Sequence, residues 1–542
     1  MATEQESGYA QGFGQVSRTA GIIFRYLLLA ATMFGIVTLA VLLVYVANDA
    51  IQPLTADAGW HLTFFLTLVL PSLLVGGYLY RQNVEALKLG GMVVGALLVS
   101  LMFSGGVAIV FVDIIPPLVG FSYAIGLVVA VAGTVLLTKY EHQIPFTARV
   151  AATGLLFFLS LFGVPGYFHS IPELVQKAPV VPTDWVILTL VLGGVTALAV
   201  GQYIARIRED RTAGLVAGVG ALVVTGLAAL IGPMVGTDAN ALVVVTAVSF
   251  VPTAAYAGGS ALTREEAKIG VVFAATVIVG GLVGAVAVDA LGFAGPQAWT
   301  DWQFLTSAHS GSAENAGLYP AIGGSILLMV TVAALSFPLG VGAAVYLEEY
   351  APDNRFTRFI DVNISNLAGV PSVVYGLLGL GVFVTYLGQA TGTVIIGGAT
   401  LALLILPIVI ISSREAIRAV PQDMRQASYG MGATRWQTVR NVILPEAFPG
   451  ILTGTILALG RAIGETAPLI MIGAPNVLFS LPTALNSKVS AMPLQVYAWS
   501  SLFASEDFYT KAVPAGVVVL LAVLLAMNSI AIVLRNKYES ES

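Results

Sequence analysis

Residues 393–412 read TVIIGGATLALLILPIVIIS, a run of twenty residues without a charged side chain. An α-helix rises about 1.5 Å per residue, so about twenty residues cross a hydrocarbon core of about 30 Å. In lipid, backbone hydrogen bonds can be satisfied only within a helix or a closed barrel. The run therefore predicts a transmembrane helix, and it sets the frame for the rest of the chain.

Apolar runs of this kind recur along the whole chain of 542 residues, of which 57% are hydrophobic and 10% are charged. A soluble domain carries about 25% charged residues. Because so few charges cannot cover a soluble surface of this size, lipid must cover it. We expect an all-α polytopic membrane protein with about fourteen transmembrane helices. The predicted spans are 22–47, 60–80, 90–112, 115–138, 147–168, 185–205, 213–233, 241–261, 269–291, 321–346, 367–388, 393–412, 451–472 and 513–535.

The distribution of positive charge supports this count. With both termini in the cytoplasm, twenty of the 24 Lys and Arg residues fall in inner segments. Lys177, Lys488 and Lys511 fall in outer segments, and Arg461 falls inside a span. This asymmetry follows the positive-inside rule. A miscounted helix would place positive charges on both sides and remove the asymmetry. We therefore expect a multi-pass protein of the cell membrane with both termini cytoplasmic.

Several kinds of site are excluded by composition. The chain has no cysteine, so it has no disulfide, thiolate metal site or cysteine nucleophile. Its four histidines, His61, His142, His169 and His309, are far apart in sequence and form no metal-binding pair of the HExxH type. The sequence also has no Gly-x-x-x-x-Gly-Lys-Ser/Thr phosphate loop. We expect a chain without a catalytic site, metal or cofactor of its own.

The chain divides near residue 266. Region 1–265 is expected to hold about eight helices, with no polar constellation inside a span. Region 266–542 is expected to hold about six helices, longer polar loops and all the informative motifs.

A weak internal repeat runs through the first region at an offset of 125 residues. Trp60 aligns with Trp185, and Arg81 aligns with Arg206. An even number of spans separates the copies, so they would be parallel repeats, which transporters often contain. The alternative is chance similarity among helices rich in Leu, Val, Ala and Gly.

The polar loop 414–450 follows the twelfth span and predicts two short helices lying across the membrane face. Gly432 suits a sharp reversal because glycine tolerates positive φ. Pro445 is expected to break the second helix where the chain re-enters the membrane. The small side chains of Ala427 and Ser428 suit a helix that docks in a partner's groove. The alternative is an ordinary amphipathic helix at the membrane interface.

The next predicted span, 451–472, carries two opposite charges. Arg461 and Glu465 are four residues apart and share one helix face. A charge at a helix centre in lipid costs about 3 kcal/mol even on forgiving scales, so such groups normally face a bundle interior or a water-filled path. One interpretation is a relay for an oxyanion, which the planar donor fork of Arg461 suits. Glu465 would neutralise the arginine between anions, and Thr466 would add a hydroxyl donor. The other interpretation is a structural salt bridge.

The loop resembles the EAA loop of ABC importer permeases, which has the pattern E-A-A, three residues, G, nine residues, I-x-L-P. The spacing is intact, but Gln replaces the Glu and Val replaces the Ile. The resemblance implies that the loop docks on an ATPase carried by a separate chain. The matching residues are Gln426, Ala427, Ser428, Gly432, Val442, Leu444 and Pro445.

Three strings further resemble the PstA-type permeases of phosphate importers. They are RAIGETAPL at 461–469, NLAGVPSVVYGLLGL at 366–380 and FPLGVGAAVYLEEY at 337–350. Pro371 and its flanking glycine suggest an irregular helix start whose free N–H groups could meet an anion. The substrate-path residues implied by these strings and by the charged pair are Arg461, Glu465, Thr466, Asn366 and Ser372.

This resemblance covers about residues 266–542 and implies a type I importer fold. It also implies a PstC-like partner permease, a PstB-like ATPase dimer that carries ATP and Mg, and an external phosphate-binding protein. Region 1–265 lies outside the family pattern.

The function expected from these features is that of a permease subunit in an ATP-driven phosphate importer. One alternative is a permease for another oxyanion, such as sulfate or molybdate. Others are a secondary transporter, suggested by the repeat, and a regulatory membrane scaffold. Dependence of transport on ATP rather than on an ion gradient would separate the first reading from the secondary transporter.

Overall fold

The computed structural model describes residues 18–138, 146–164, 166–178, 184–264, 268–503 and 505–539. These residues form helices joined by loops, and the two isolated β-bridges among them belong to no sheet. The predicted boundary near residue 266 and both predicted cytoplasmic termini lie outside the described residues. The main helices are α1 (Gly21–Thr55), α2 (Ala58–Gln82), α3 (Val84–Ile114), α4 (Pro117–Leu137), α5 (Phe146–Phe162), α6 (Ile171–Gln176), α7 (Asp184–Arg208), α8 (Arg211–Met234), α9 (Ala239–Thr263), α10 (Gly270–Leu291), α11 (Trp302–Thr306), α12 (Tyr319–Tyr350), α13 (Arg355–Ala368), α14 (Ser372–Tyr386), α15 (Val394–Ala419), α16 (Gln422–Gly430), α17 (Arg435–Ile463), α18 (Ala467–Met471), α19 (Met492–Ser501) and α20 (Phe508–Ser529).

The helical membrane fold expected from the sequence is confirmed. Within the described ranges, 12 helices are long and apolar enough to span a membrane, and the bent pair α13–α14 raises the number to 13. Every one of the fourteen predicted spans has a helix at its position. The fifth is the exception in length, because its apolar part, Val150–Phe162, is shorter than a full span.

Two of the predicted spans differ in shape from the expectation. Span 367–388 is the second half of a bent pair, in which α13 and α14 meet at 105°. Pro371 disfavours helical geometry at the residue before it, so the chain turns there. Span 451–472 is displaced, since α17 begins at Arg435 and ends at Ile463. Pro468 clashes with a helical turn at that point, because its ring occupies the space of the carbonyl of Gly464.

Helix α15 is the centre of the C-terminal bundle. Two thirds (67%) of the residues in its most apolar stretch are buried inside the protein. This share is larger than for any other candidate span in the described part of the chain. It packs against α12 on one side and α17 on the other. The core that these helices share includes Leu328, Leu401, Ile405, Val409 and Ala458.

Helix α10 packs against α2 and α3, although it follows the predicted boundary in sequence. Its glycines allow backbone contact, because a methyl group on Gly280 would overlap the Thr67 carbonyl oxygen. A methyl group on Gly270 would overlap the Ala86 carbonyl oxygen in the same way. Small residues at such positions let membrane helices approach closely. The first helices of the chain therefore provide the surface on which α10 docks.

Two further contacts attach the N-terminal helices to the C-terminal bundle. Helix α1 lies along α20, and α3 contacts α12 and α20. At the end of α3, Asp113 accepts a hydrogen bond from the Tyr319 hydroxyl at the start of α12, with 2.5 Å between the oxygens. The two regions are thus joined by apolar packing and by at least one short polar contact.

His309 lies between α11 and α12, outside the candidate spans. Its side chain is buried, and its Nδ1 accepts a hydrogen bond from the Trp499 indole at 3.0 Å. The rings of Phe503 and Phe479 lie 4.7 and 5.6 Å from the imidazole, measured between ring centroids. Burial lowers the pKa of His309 from its ordinary 6.5. The fold therefore holds this imidazole neutral.

Replacing Gly280 with Val should loosen α10 from α2, because the new side chain would overlap the Thr67 carbonyl. Overpacking of this kind typically costs about 1–3 kcal/mol. Gly281→Val is the matched control, since a methyl group there meets nothing within 4 Å. Thermal unfolding of the purified protein in detergent would be compared; equal melting temperatures for the two variants would contradict this packing.

Lowering the pH should also destabilise the protein through His309. Because its folded pKa is lowered, its stabilising effect is complete above about pH 6.5 and is lost as the pH falls through the folded pKa. We expect the melting temperature to drop between pH 7.5 and pH 5.5, and His309→Gln to reduce that drop. His169→Gln, which changes an exposed imidazole, should leave the drop unchanged. An equal drop in the wild type and in His309→Gln would refute this assignment.

Candidate functional site

The polar loop after α15 folds as a helix, a tight turn and the start of a second helix. Helix α16 ends at Gly430, and Gly432 adopts a φ of +83°, as the predicted reversal requires. Thr434 then caps α17 through a reciprocal capping box with Gln437. The Ser428 and Thr438 hydroxyls lie 2.8 Å apart in the buried angle between the helices. These contacts fix the shape of the loop.

The predicted coupling residues divide between the inside and the outside of this loop. Gln426 and Ala427 are exposed on α16, whereas Ser428 is buried against the start of α17. Leu444 is half-buried and Pro445 is exposed, and both lie within α17. A partner chain could therefore reach Gln426 and Ala427 directly.

The expectation that Pro445 breaks the helix is wrong. The chain stays helical from Arg435 to Ile463, and a π-helical turn at Val439–Ile443 precedes the proline. In a π-helical turn each backbone hydrogen bond joins residues five apart. This changes the hydrogen-bond pattern of the helix, so that the missing N–H of Pro445 is tolerated. The second element of the loop is thus the first part of a long span.

The Arg461–Glu465 pair lies at the end of α17 rather than at the centre of a span. Arg461 is two residues from the last helical residue, and Glu465 lies in the break 464–466 before α18. The Arg461 Nε and the Glu465 Oε1 are 3.7 Å apart. The arginine side chain is 47% exposed and the glutamate 18%. The arginine is thus paired weakly and stays accessible.

Thr466 and Ser372 stand at the starts of two short helices that contact each other. Thr466 is the N-cap of α18 and makes no side-chain capping hydrogen bond, whereas Ser372 is the first residue of α14 and follows the N-cap Pro371. Helices α14 and α18 approach so closely that a methyl group on Gly376 would lie 2.7 Å from the Met471 Cβ. The irregular helix start predicted at Pro371 is confirmed, because α14 begins at the next residue.

Asn366 lies apart from this group in the described contacts. It is exposed in the last turn of α13. Within the described ranges, no hydrogen bond or ion pair joins Asn366 or Ser372 to Arg461. The structure therefore brings Arg461 to Glu465, and Ser372 to the helix of Thr466, but it leaves Asn366 on the other arm of the bend.

Two features of the site were missed from sequence. The Tyr375 hydroxyl donates to the Leu367 carbonyl across the bend, at 2.9 Å. Six charged side chains near the loop form a network, although the arginines and carboxylates that pair across helices are 53 to 76 residues apart. The adjacent acids Glu348 and Glu349 at the end of an apolar span were the available signal, but a sequence does not show their partners.

Comparison with known proteins identifies the class of protein to which this chain belongs. The family described as "Binding-protein-dependent transport system inner membrane component" matches residues 336–538. The probable ABC transporter permease protein YqgI of Bacillus subtilis is 38% identical over 209 residues, which cover 37% of this chain and 70% of that protein. Fold, loop and relatives together define an ABC transporter permease. The chain belongs to the family of binding-protein-dependent inner-membrane transport components.

Other relatives carry names that mention phosphate. The phosphate transport system permease protein PstA of Yersinia pestis is 33% identical over 41% of this chain and 73% of that protein. PstA 1 of Mycobacterium tuberculosis (strain CDC 1551 / Oshkosh) is 34% identical over 33% of this chain, which spans 59% of that protein's length. An inward-facing structure of the MetNI methionine ABC transporter aligns with 41% of this chain and 97% of its own, at 16% identity and a TM-score of 0.34.

Substituting Gly432 should open the loop, because a side chain at φ +83° costs about 1–2 kcal/mol. Gly432→Val should raise amide hydrogen exchange in residues 426–440 by roughly tenfold. Gly430→Val is the matched control, because an added side chain has open space at both positions but the φ of Gly430 is ordinary. Equal exchange in the two variants would show that the turn does not depend on glycine.

Proposed function

We propose that this chain is a phosphate-translocating permease subunit of an ATP-driven importer. The observation that carries the proposal is the accessible, weakly paired Arg461 beside Glu465 at the break between α17 and α18. The names of the PstA relatives support phosphate as the substrate.

Arg461 has the chemistry that a phosphate site needs. Its guanidinium is permanently charged and presents parallel N–H donors that match two phosphate oxygens. At 3.7 Å from Glu465, the contact is longer than a normal hydrogen bond. An incoming anion could displace this carboxylate without breaking a tight ion pair. Glu465 would then return to Arg461 when the anion leaves.

The break 464–466 gives this pair a suitable setting. Non-helical backbone within a membrane protein is tolerated where protein buries it or where it lines a water-filled cavity. Thr466 lies in the break with a hydroxyl that caps no helix, and Ser372 starts the helix packed beside it. We propose that Arg461, Glu465, Thr466 and Ser372 line the substrate path, with Asn366 at its edge.

The energy for transport would come from another chain. The sequence contains no phosphate loop for ATP. The exposed Gln426 and Ala427 on α16 would dock in a groove of a PstB-like ATPase dimer, which would carry ATP and Mg. A PstC-like permease would complete the path, and an external phosphate-binding protein would deliver the substrate.

Replacing Arg461 with Gln should reduce phosphate uptake at least about tenfold. A hydrogen bond to a charged group is typically worth about 1.5–3 kcal/mol. Uptake of radiolabelled phosphate would be measured in proteoliposomes that contain this permease with its partner subunits and ATP. Arg461→Lys should give an intermediate loss, because it keeps the charge but not the planar fork.

Arg358→Gln is the control, since Arg358 is 74% exposed and lies on α13. Co-purification of the partners would establish that each variant assembles. Normal uptake by an assembled Arg461→Gln complex would refute the role of Arg461. Wild-type uptake of sulfate or molybdate in preference to phosphate would instead assign the site to another oxyanion.

A further inference from the structure

A group of charged side chains, which we name the arginine clamp, surrounds the base of the loop. Its basic members lie at the end of α15 and on α16, and its acidic members lie at the end of α12 and on α13. Each basic member pairs with an acid from a different helix. The members are Arg414, Arg418, Arg425, Glu348, Glu349 and Asp361.

Arg425 fastens α16 to the end of α12. Its guanidinium contacts the Glu349 carboxylate, and the two side chains are 11% and 6% exposed. The same guanidinium donates to the Ile417 carbonyl of α15 at 2.6 Å. A charge pair buried to this extent resists separation, because breaking it leaves an uncompensated charge. Helix α16 therefore moves together with the ends of α12 and α15.

Arg414 fastens α15 to α13. Its Nη1 lies 2.7 Å from the Asp361 Oδ1, and its Nε lies 3.4 Å from the Glu348 Oε2. The Arg414 side chain is 16% exposed and that of Asp361 is 33% exposed. Arg418 adds a half-exposed contact to Glu348 at 3.0 Å. Arg414 thus joins three helices, and its pairing with Asp361 is a polar contact between α15 and α13.

Helix α13 in turn is joined to the candidate substrate path. The 105° bend to α14 is held by the hydrogen bond from Tyr375 to the Leu367 carbonyl. Helix α14 then packs against α18, which begins directly after Glu465 and Thr466. A displacement of α13 would therefore be delivered to the break at 464–466.

We propose that Arg414 and Asp361 are positioning residues that transmit movement of the ATPase-facing loop to the substrate path. Helix α16 moves α15 through Arg425, α15 moves α13 through the Arg414–Asp361 pair, and the bent pair α13–α14 acts as a lever on α18. The ATP-driven step of this inference rests on the proposed function.

The absence of cysteine allows the lever to be measured directly. Spin labels would be attached at Phe359→Cys on α13 and at Val216→Cys on α8, two positions that are 65% and 73% exposed. Distances would be recorded in the assembled complex with and without ATP, together with ATP hydrolysis and phosphate uptake. We expect an ATP-dependent shift of the label distance in the wild type.

In Asp361→Asn, the complex should still hydrolyse ATP, but the shift should be lost and phosphate moved per ATP should fall at least tenfold. Asp361→Glu, which keeps a carboxylate for Arg414 and leaves the Arg414 contact to Glu348 in place, should retain both. Arg358→Gln, on the same helix but in an exposed pair, should behave as the wild type.

A shift that persists in assembled Asp361→Asn, or that is absent in the wild type, would overturn the lever. If Asp361→Asn fails to assemble, Arg414→Gln is tested in its place, and a shift that persists in assembled Arg414→Gln would overturn the proposal. The label distance does not depend on the substrate. A wild type that shows the shift but transports no phosphate would therefore refute the proposed function and leave the lever intact.

Discussion

Lipid offers no hydrogen-bond partner to a polypeptide backbone, and this constraint governs the rest of the structure. Most of the described chain meets it with long helices, so places where the helix stops need a local cause. Two such places, the bend at 369–371 and the break at 464–466, are each set by a proline. Because α14 and α18 pack together, the two interruptions lie beside one pair of short helices. The candidate substrate path therefore lies where the membrane helices are interrupted.

The same constraint explains how much of the fold could be predicted from sequence. A transmembrane helix needs about twenty mostly apolar residues in a row, and such runs are visible in the sequence. All fourteen predicted positions therefore contain a helix. The turn at Gly432 was also predictable, because a glycine between two polar helical segments has few other uses there. The family strings located the charged pair and the loop from residue types and spacing alone.

What the sequence did not show depends on competition between local effects or on contacts distant in sequence. Pro445 is expected from sequence to end a helix, but the π-helical turn before it allows the helix to continue without the proline's N–H donor. Pro468 did interrupt a helix, which moved Arg461 from the middle of a span to its end. The partners of Arg414 and Arg425 lie 53 and 76 residues away, and no periodicity links them.

The packing of α10 has a consequence for the order in which this protein is made. Its docking surface belongs to α2 and α3, which leave the ribosome before it does. Helices α12 to α20 are still to be translated once α10 is complete, which takes tens of seconds at a synthesis rate of about 5–20 residues per second. During that time α2, α3 and α10 can pack together in the membrane before the later bundle exists. The N-terminal helices would then already be in place when the later helices of the permease pack against them.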